Sequence, residues 1–322
     1  MKNRLLFIAR VLISLSLIGV LLWLMRKDIP DIIKAIRNAN IKFLLLGCFA
    51  YFIATIMLGF RLTKVMSVQG IKLSYKESIY LTLIGYFFNN FLPTTFGGDL
   101  PKAYYIGKKS NKKAAAFAGV FMDRMLAMFP FTAIPALTLL FYQQRMSNKG
   151  LVLAAYLLFG GCLLFLAFIL NKSAVRYAAA VLAPFKKSSF YKKIKDGYNF
   201  LNIYSKHKIV LVWSFTLSVI IQVISIISVY LLSKAIGVDN VALGVFFVVF
   251  PIIGIMSMLP SMNGLGIREG GFVYLFKGYM QPEQAFATAV LVLLSITAVG
   301  VLGGIIYAFK KSLFDFKAGE LE

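Results

Sequence analysis

Leu259-Pro260-Ser261-Met262-Asn263-Gly264-Leu265-Gly266-Ile267-Arg268-Glu269-Gly270-Gly271 separates an apolar segment, 243–259, from a long apolar run, 284–309. Proline and glycine interrupt the helix here, permit positive φ and close backbone approach, and leave freed backbone groups to be satisfied by protein or cavity water. A related stretch, Leu92-Pro93-Thr94-Thr95-Phe96-Gly97-Gly98-Asp99, ends the apolar segment 77–92. Aligning Leu92-Pro93 on Leu259-Pro260 brings Thr94 onto Ser261 and Gly97 onto Gly264 at an offset of 167, and Ala116-Phe117-Ala118 meets Ala285-Phe286-Ala287 at an offset of 169. The flanking order of span, broken segment and span is also shared. The spacing predicts an internal repeat, about 43–142 and 209–309, and paired interrupted segments in two halves point to a transport site.

Around these stretches the chain is built for lipid. Of its 322 residues 60% are hydrophobic and 15% charged, against about 25% charged in ordinary soluble domains. Its mean hydropathy is +0.81. The runs 5–25, 43–60, 114–142, 150–170, 209–233 and 284–309 have the length and composition of crossing helices. The fold expected is an all-α integral membrane protein, one polytopic domain over 1–322, with about six full transmembrane helices and two re-entrant or broken ones, eight hydrophobic segments in all. The first run ends Trp23-Leu24-Met25-Arg26 without a small-residue cleavage site, so it reads as a retained span.

Lys and Arg number 35 against 12 Asp and Glu, a formal charge of +23 that belongs in the loops. If the broken segments are re-entrant and the N-terminus is cytoplasmic, 24 basic residues fall inside and 10 outside; if both segments cross, 13 fall inside and 21 outside. The positive-inside tendency selects re-entry, which makes the repeats inverted and puts both termini in the cytoplasm of a cell-membrane protein. The charge implies an anionic phospholipid surface as partner. Nucleic acid is not expected, because the basic residues are dispersed between apolar spans.

Cys48 and Cys162 sit in apolar runs as small hydrophobes, and His207 is the only histidine, so no His-rich metal site and no histidine-based nucleophile pair is expected. No phosphate-binding GxxxxGK[ST] occurs, and no cofactor is expected. In the loops, Ile29, Ile32, Ile33 and Ile36 share one face of a short interfacial helix over 29–36. The basic loop 171–208, cytoplasmic in this orientation, contains an expected amphipathic helix over 186–204, with Lys186, Lys187, Lys192, Lys193 and Lys195 opposite Phe190, Ile194, Leu201 and Tyr204, suited to anionic headgroups.

Charges inside spans carry the chemistry, since each costs roughly 2.5–3.5 kcal/mol or more at the bilayer centre. Asp123 and Arg124 lie well inside 114–142 and point about 100° apart, so each needs a partner on another element. The candidates are Asp99 and Lys102 in the first broken segment and Arg268 and Glu269 in the second. These six are the expected substrate-binding residues, and Pro93, Gly97, Gly98, Pro101, Pro260, Gly264, Gly266 and Gly270 are the expected hinge positions. A staple between the repeats is the plain alternative. Gly300 and Gly304 form a GxxxG that reads as intramolecular packing.

Asn89-Asn90-Phe91-Leu92-Pro93, Gly97-Gly98-Asp99, Asp123-Arg124 and Leu259-Pro260 with Gly264-Leu265-Gly266-Ile267-Arg268-Glu269 resemble the signature blocks of the lysylphosphatidylglycerol synthase transmembrane family, which includes MprF-type flippase regions and UPF0104-like membrane proteins. The resemblance covers nearly the whole chain. It implies a membrane protein acting on lipids, which in full-length members translocates aminoacylated phosphatidylglycerol. Asp99 and Lys102 stand where the family suggests Glu and Arg, Asp123-Arg124 where it suggests Glu-Arg, and the final span lacks an arginine that many relatives carry.

The leading expectation is a lipid translocator, moving an anionic or aminoacylated phospholipid or a polyprenyl or glycolipid carrier between leaflets. Arg124, Arg268 and Lys102 would hold phosphate, while Asp99, Asp123 and Glu269 would balance them or bind a cationic aminoacyl group. The enzyme alternative is a phosphatidylglycerol lysyltransferase, which needs a soluble catalytic module that the spans leave no room for. The third reading is a non-catalytic membrane subunit positioning a separate lipid synthase.

Overall fold

The computed structural model describes residues 29–91, 97–146, 148–170, 203–259, 261 and 263–309. Among the described residues ten α-helices follow in order: α1 (Ile29–Arg37), α2 (Ile41–Val68), α3 (Tyr75–Phe91), α4 (Asp99–Ser110), α5 (Lys113–Tyr142), α6 (Lys149–Leu170), α7 (Lys208–Ala235), α8 (Leu243–Met256), α9 (Ile267–Leu275) and α10 (Pro282–Phe309). Among the described residues α2, α5, α7 and α10 are long and apolar enough to cross a membrane, and Lys149–Leu164 and α8 are apolar but shorter. The expected run 5–25 lies outside the described residues.

The helix α2 continues past Phe60, where the sequence suggested a loop, because Leu62, Val65 and Met66 give it a further buried face at helical spacing. That extension carries Arg61 into the bundle. α2 and α7 pack antiparallel: the Asn40 N–H donates to Ala235 O at 2.7 Å, Ser228 Oγ to Gly47 O at 2.7 Å, and Tyr204, just before α7, to Val65 O at 3.1 Å. Gly47 lets the backbones approach; a Cβ there would meet the Leu232 side chain at 2.9 Å. Tyr204 lies in the short 3-10 turn Ile203–Lys206 and is buried, whereas the rest of the expected amphipathic helix, 186–202, lies outside the described residues.

Both broken segments fold as helical hairpins. In the first, Glu77 near the start of α3 accepts from Lys109 at 2.6 Å and from Tyr105 at 3.1 Å, both in the second half of α4. Nearer the tip, Gly98 N donates to Asn89 Oδ1 at 2.6 Å, and a Cβ on Gly98 would collide with the Gly85 backbone. In the second, the rings of Phe246 and Phe276 lie 4.9 Å apart and those of Phe250 and Phe272 6.3 Å, tying α8 to α9 in the opposite sense. The first hairpin opens at the end of the bundle that holds Val68, Lys113 and Lys208, and the second at the end that holds Ile41, Tyr142 and Ala235. Their tips meet, with Asn263 Nδ2 donating to Asn90 Oδ1 at 2.9 Å.

The two long helices beyond the hairpins lock them in place. α10 lies on α3, where Gly304 faces the Phe87 ring and Gly303 the backbone of Leu83, so these glycines serve intramolecular packing. α5 lies on α8, with the Phe131 ring over Gly254 and the Tyr142 ring over Gly244. The larger apolar core surrounds Phe246, Phe272 and Phe276, and the smaller surrounds Leu62, Met66 and Ile106. α1 adds Ile32 to the larger core while Ile33 remains exposed, so only part of its expected isoleucine face is buried.

Candidate functional site

Where the hairpin tips meet α2, α5 and α7 there is a cavity of about 240 Å³. Arg61, Asp99, Lys102, Asp123, Arg124 and Arg268 line it together with Gln222, and Leu58, Phe131, Phe250, Ile253 and Ile296 form apolar wall. Five of the six expected binding residues thus converge on one space, and the sixth, Glu269, stands behind Arg268.

Asp123 finds its partner on α2. Arg61 donates from Nε to Oδ1 at 2.7 Å and from Nη2 to Oδ2 at 3.1 Å, a two-pronged contact suited to the planar guanidinium. Its Nη1 donates to Ser218 on α7 at 2.9 Å, and Ser218 donates onward to Ser214 O at 2.7 Å. Arg61 is therefore buried with α2, α5 and α7 joined through one side chain. Arg61 falls one residue beyond the expected span 43–60; the signal that places it in the helix is the apolar pattern Leu58, Leu62, Val65 and Met66, which wraps around it at helical spacing.

Asp99, the first residue of α4, stands between two cations: Lys102 Nζ at 2.8 Å, one turn along the same helix, and Arg124 Nε at 3.9 Å across on α5. A carboxylate in the first turn also faces the positive end of the helix dipole. Lys102 reaches Asp99 alongside Gly85, where a Cβ would fall against its stem. Asp123 and Arg124, pointing different ways from α5, are thus each matched on a separate element.

Arg268 and Glu269 pair with each other, correcting the expectation that they would serve Asp123 and Arg124. Glu269 Oε1 accepts from Arg268 Nε at 3.1 Å and Nη2 at 3.0 Å, and Oε2 accepts from Gly266 N at 2.6 Å. Adjacent side chains on a helix diverge, but here the Glu269 carboxylate folds back over the N-terminus of α9 and comes within reach of its neighbour. Gly264 and Gly266 have φ of +76° and +81°, which places the chain reversal where side chains are disfavoured.

The hinge positions divide. Gly97 and Gly98 lead into α4, and Gly264 and Gly266 form the second tip. Pro101 sits in the first turn of α4, where no N–H is required, so it starts a helix instead of breaking one. Gly270 is a helical residue of α9 whose N–H donates to Gly266 O at 3.0 Å, and is no hinge in this arrangement. Pro93 and Pro260 lie outside the described residues. Besides Arg61, the sequence reading missed Ser214, Ser218, Gln222 and Ser225, a polar stripe spaced by four, four and three residues along one face of α7.

Among the described residues no group of three His, Cys, Asp or Glu side chains is placed to hold a metal. The arrangement can bind and neutralise a charged group inside an apolar bundle. UPF0104 membrane proteins are similar to the chain: that of Methanothermobacter thermautotrophicus is 27% identical over 85% of this chain and 87% of its own, and that of Methanocaldococcus jannaschii 23% identical over 96% and 97%. A third, from Pyrococcus horikoshii, is 27% identical over 94% and 97%. The profile of the lysylphosphatidylglycerol synthase transmembrane region matches residues 7–304, and this membrane protein, with its charged cavity between two helical hairpins, belongs to that family.

Proposed function

We propose that the protein translocates a phosphate-bearing lipid between leaflets, the headgroup passing through the central cavity while the acyl chains stay in the bilayer. One observation carries this reading: four cationic side chains, Arg61, Lys102, Arg124 and Arg268, line a space that also has aromatic and aliphatic wall and lies where two hairpins from opposite ends touch. The volume, about 240 Å³, is below the roughly 300–1,000 Å³ of pockets that enclose drug-sized molecules. It suits a headgroup and leaves no room for whole acyl chains.

Inverted repeats over about 43–142 and 209–309 account for the architecture. Each half runs long helix, hairpin, long helix, and each half's last helix packs on the other half's hairpin: α10 on α3, α5 on α8. Such a pair supplies two equivalent closures, one toward each side of the membrane. The end at which the α3–α4 hairpin opens gathers Lys72, Lys76, Lys108, Lys109, Lys112 and Lys113, which supports its placement in the cytoplasm of a cell-membrane protein with both termini inside.

The test is a leaflet-resolved assay with the purified chain in liposomes, using tail-labelled lipids of several headgroups. The expected result is protein-dependent movement of at least one phosphate-bearing lipid; no movement of any would overturn the reading. Lysyl transfer from charged tRNA by the purified chain would replace it with the lysyltransferase alternative.

A further inference from the structure

Two features of the cavity are not used by packing. The first is Gln222. It lies in the middle of α7, is 5% exposed, and lines the cavity, yet its Nε2 meets no hydrogen-bond partner among the described residues. The stripe residues on either side of it are satisfied: Ser218 serves Arg61 and Ser214 O, and Ser225 donates to Ile221 O at 2.9 Å. The Ser214 hydroxyl is also without a partner among the described residues, but Ser214 does not line the cavity. A buried carboxamide donor without an acceptor has lost its water and gained nothing in return, which destabilises the ligand-free state. A ligand oxygen in the cavity would remove that cost.

The second feature is formal charge. Arg61 is closed against Asp123, and Arg268 against Glu269. Asp99 is shared by Lys102 and Arg124. Among the described residues four cations therefore face three carboxylates, and the positions adjoining the hairpin ends in sequence, 92–96, 260 and 262, carry no ionisable side chain. One positive charge is in excess in a membrane-embedded space, where an uncompensated charge is costly. The ligand that completes the site carries one net negative charge.

Resting on the translocator reading, we propose that the cavity selects the monoanionic phosphodiester headgroup of a net-anionic lipid, its phosphate held by Lys102 and Arg124 and a headgroup oxygen accepting from Gln222. A lysyl-bearing headgroup, with two ammonium groups against one phosphate, adds positive charge to a site already positive by one. Every carboxylate at the site is engaged, so an ammonium would find no partner without breaking an existing pair. A zwitterionic choline headgroup leaves the excess charge in place. This cavity therefore discriminates against the aminoacylated lipid after which the family is named.

The experiment compares phosphatidylglycerol, lysyl-phosphatidylglycerol and phosphatidylcholine of identical acyl chains on the full-length protein. Binding is read by native mass spectrometry and thermal shift, and movement by the leaflet assay. Phosphatidylglycerol is expected to bind about tenfold or more tightly than either competitor. Gln222→Met keeps the volume and removes the donor; it is expected to weaken phosphatidylglycerol binding about tenfold, with lipid-free melting no lower than the parent's because the unpartnered donor is gone. Lys102→Gln cancels the excess charge and is expected to abolish the preference over phosphatidylcholine. Equal binding of lysyl-phosphatidylglycerol or phosphatidylcholine, parental selectivity in Lys102→Gln, or parental affinity in Gln222→Met would overturn the headgroup assignment even if lipids move. Selective binding lost in both variants, with no lipid changing leaflet, would keep the headgroup assignment and overturn translocation.

Discussion

All three guanidinium nitrogens of Arg61 are occupied, two by Asp123 and one by Ser218. Such a closed contact is a fastening, and its loss should register as instability. Arg61→Ala or Asp123→Asn is expected to cost about 3–5 kcal/mol and to lower the detergent melting temperature. The apolar double variant Arg61→Met with Asp123→Leu should recover most of that loss, because neither charge is then left buried alone. A double variant as unstable as the singles would show that the pair does more than hold helices. Arg124 is half-buried and shares Asp99 with Lys102; Arg124→Gln should therefore reduce lipid movement at least about tenfold with melting near the parent, measured on one preparation. A parallel fall in melting would make Arg124 a fastening as well. The sequence made Asp123 and Arg124 legible because an acid and a base side by side in an apolar run demand explanation. It hid Arg61, which sits beside loop-like charge and declares its depth only through the buried residues flanking it.

At the scale of elements, the hairpins are held by glycine and asparagine. Gly98→Ala would drive a Cβ into the backbone of Gly85, and is expected to destabilise by about 1–3 kcal/mol or more, with Gly160→Ala, where a Cβ would meet nothing within 4 Å, as the milder comparison in the same melting experiment. The hairpin tips touch through Asn90 and Asn263. If the two move apart during each cycle, Asn90→Cys with Asn263→Cys, on a background where Cys48 and Cys162 are Ser, should be inactivated by a short bifunctional maleimide. Full activity after quantitative cross-linking would mean that the tips stay together. Both breaks were legible from Pro and Gly at matched spacing. Their return as hairpins rests on tertiary pairs such as Glu77 with Lys109, which no local pattern announces. The Arg268–Glu269 pairing was equally hidden, since it depends on a carboxylate turning back to Gly266 N and not on helical spacing.

For the molecule as a whole, orientation is the testable quantity. With the native cysteines replaced, Lys112→Cys is expected to label only from the cytoplasmic side and Lys42→Cys only from outside, both being exposed at opposite ends of the bundle; the reverse pattern would invert the topology. Composition alone made the membrane class legible, whereas the meeting of both hairpins at one cavity depends on how α5 and α10 cross over to the opposite half. The same crossing has a consequence for how the protein is made. Arg61 is synthesised 62 residues before Asp123 and 157 before Ser218. As α2 leaves the ribosome its arginine has no counterion, and a lone arginine is expelled from the hydrocarbon centre. We predict that insertion is not a simple sequence of independent helices: α2 is expected to settle fully only once α5 brings Asp123 to Arg61. Nascent chains halted before residue 123 should leave α2 incompletely inserted, and those extended beyond it should not.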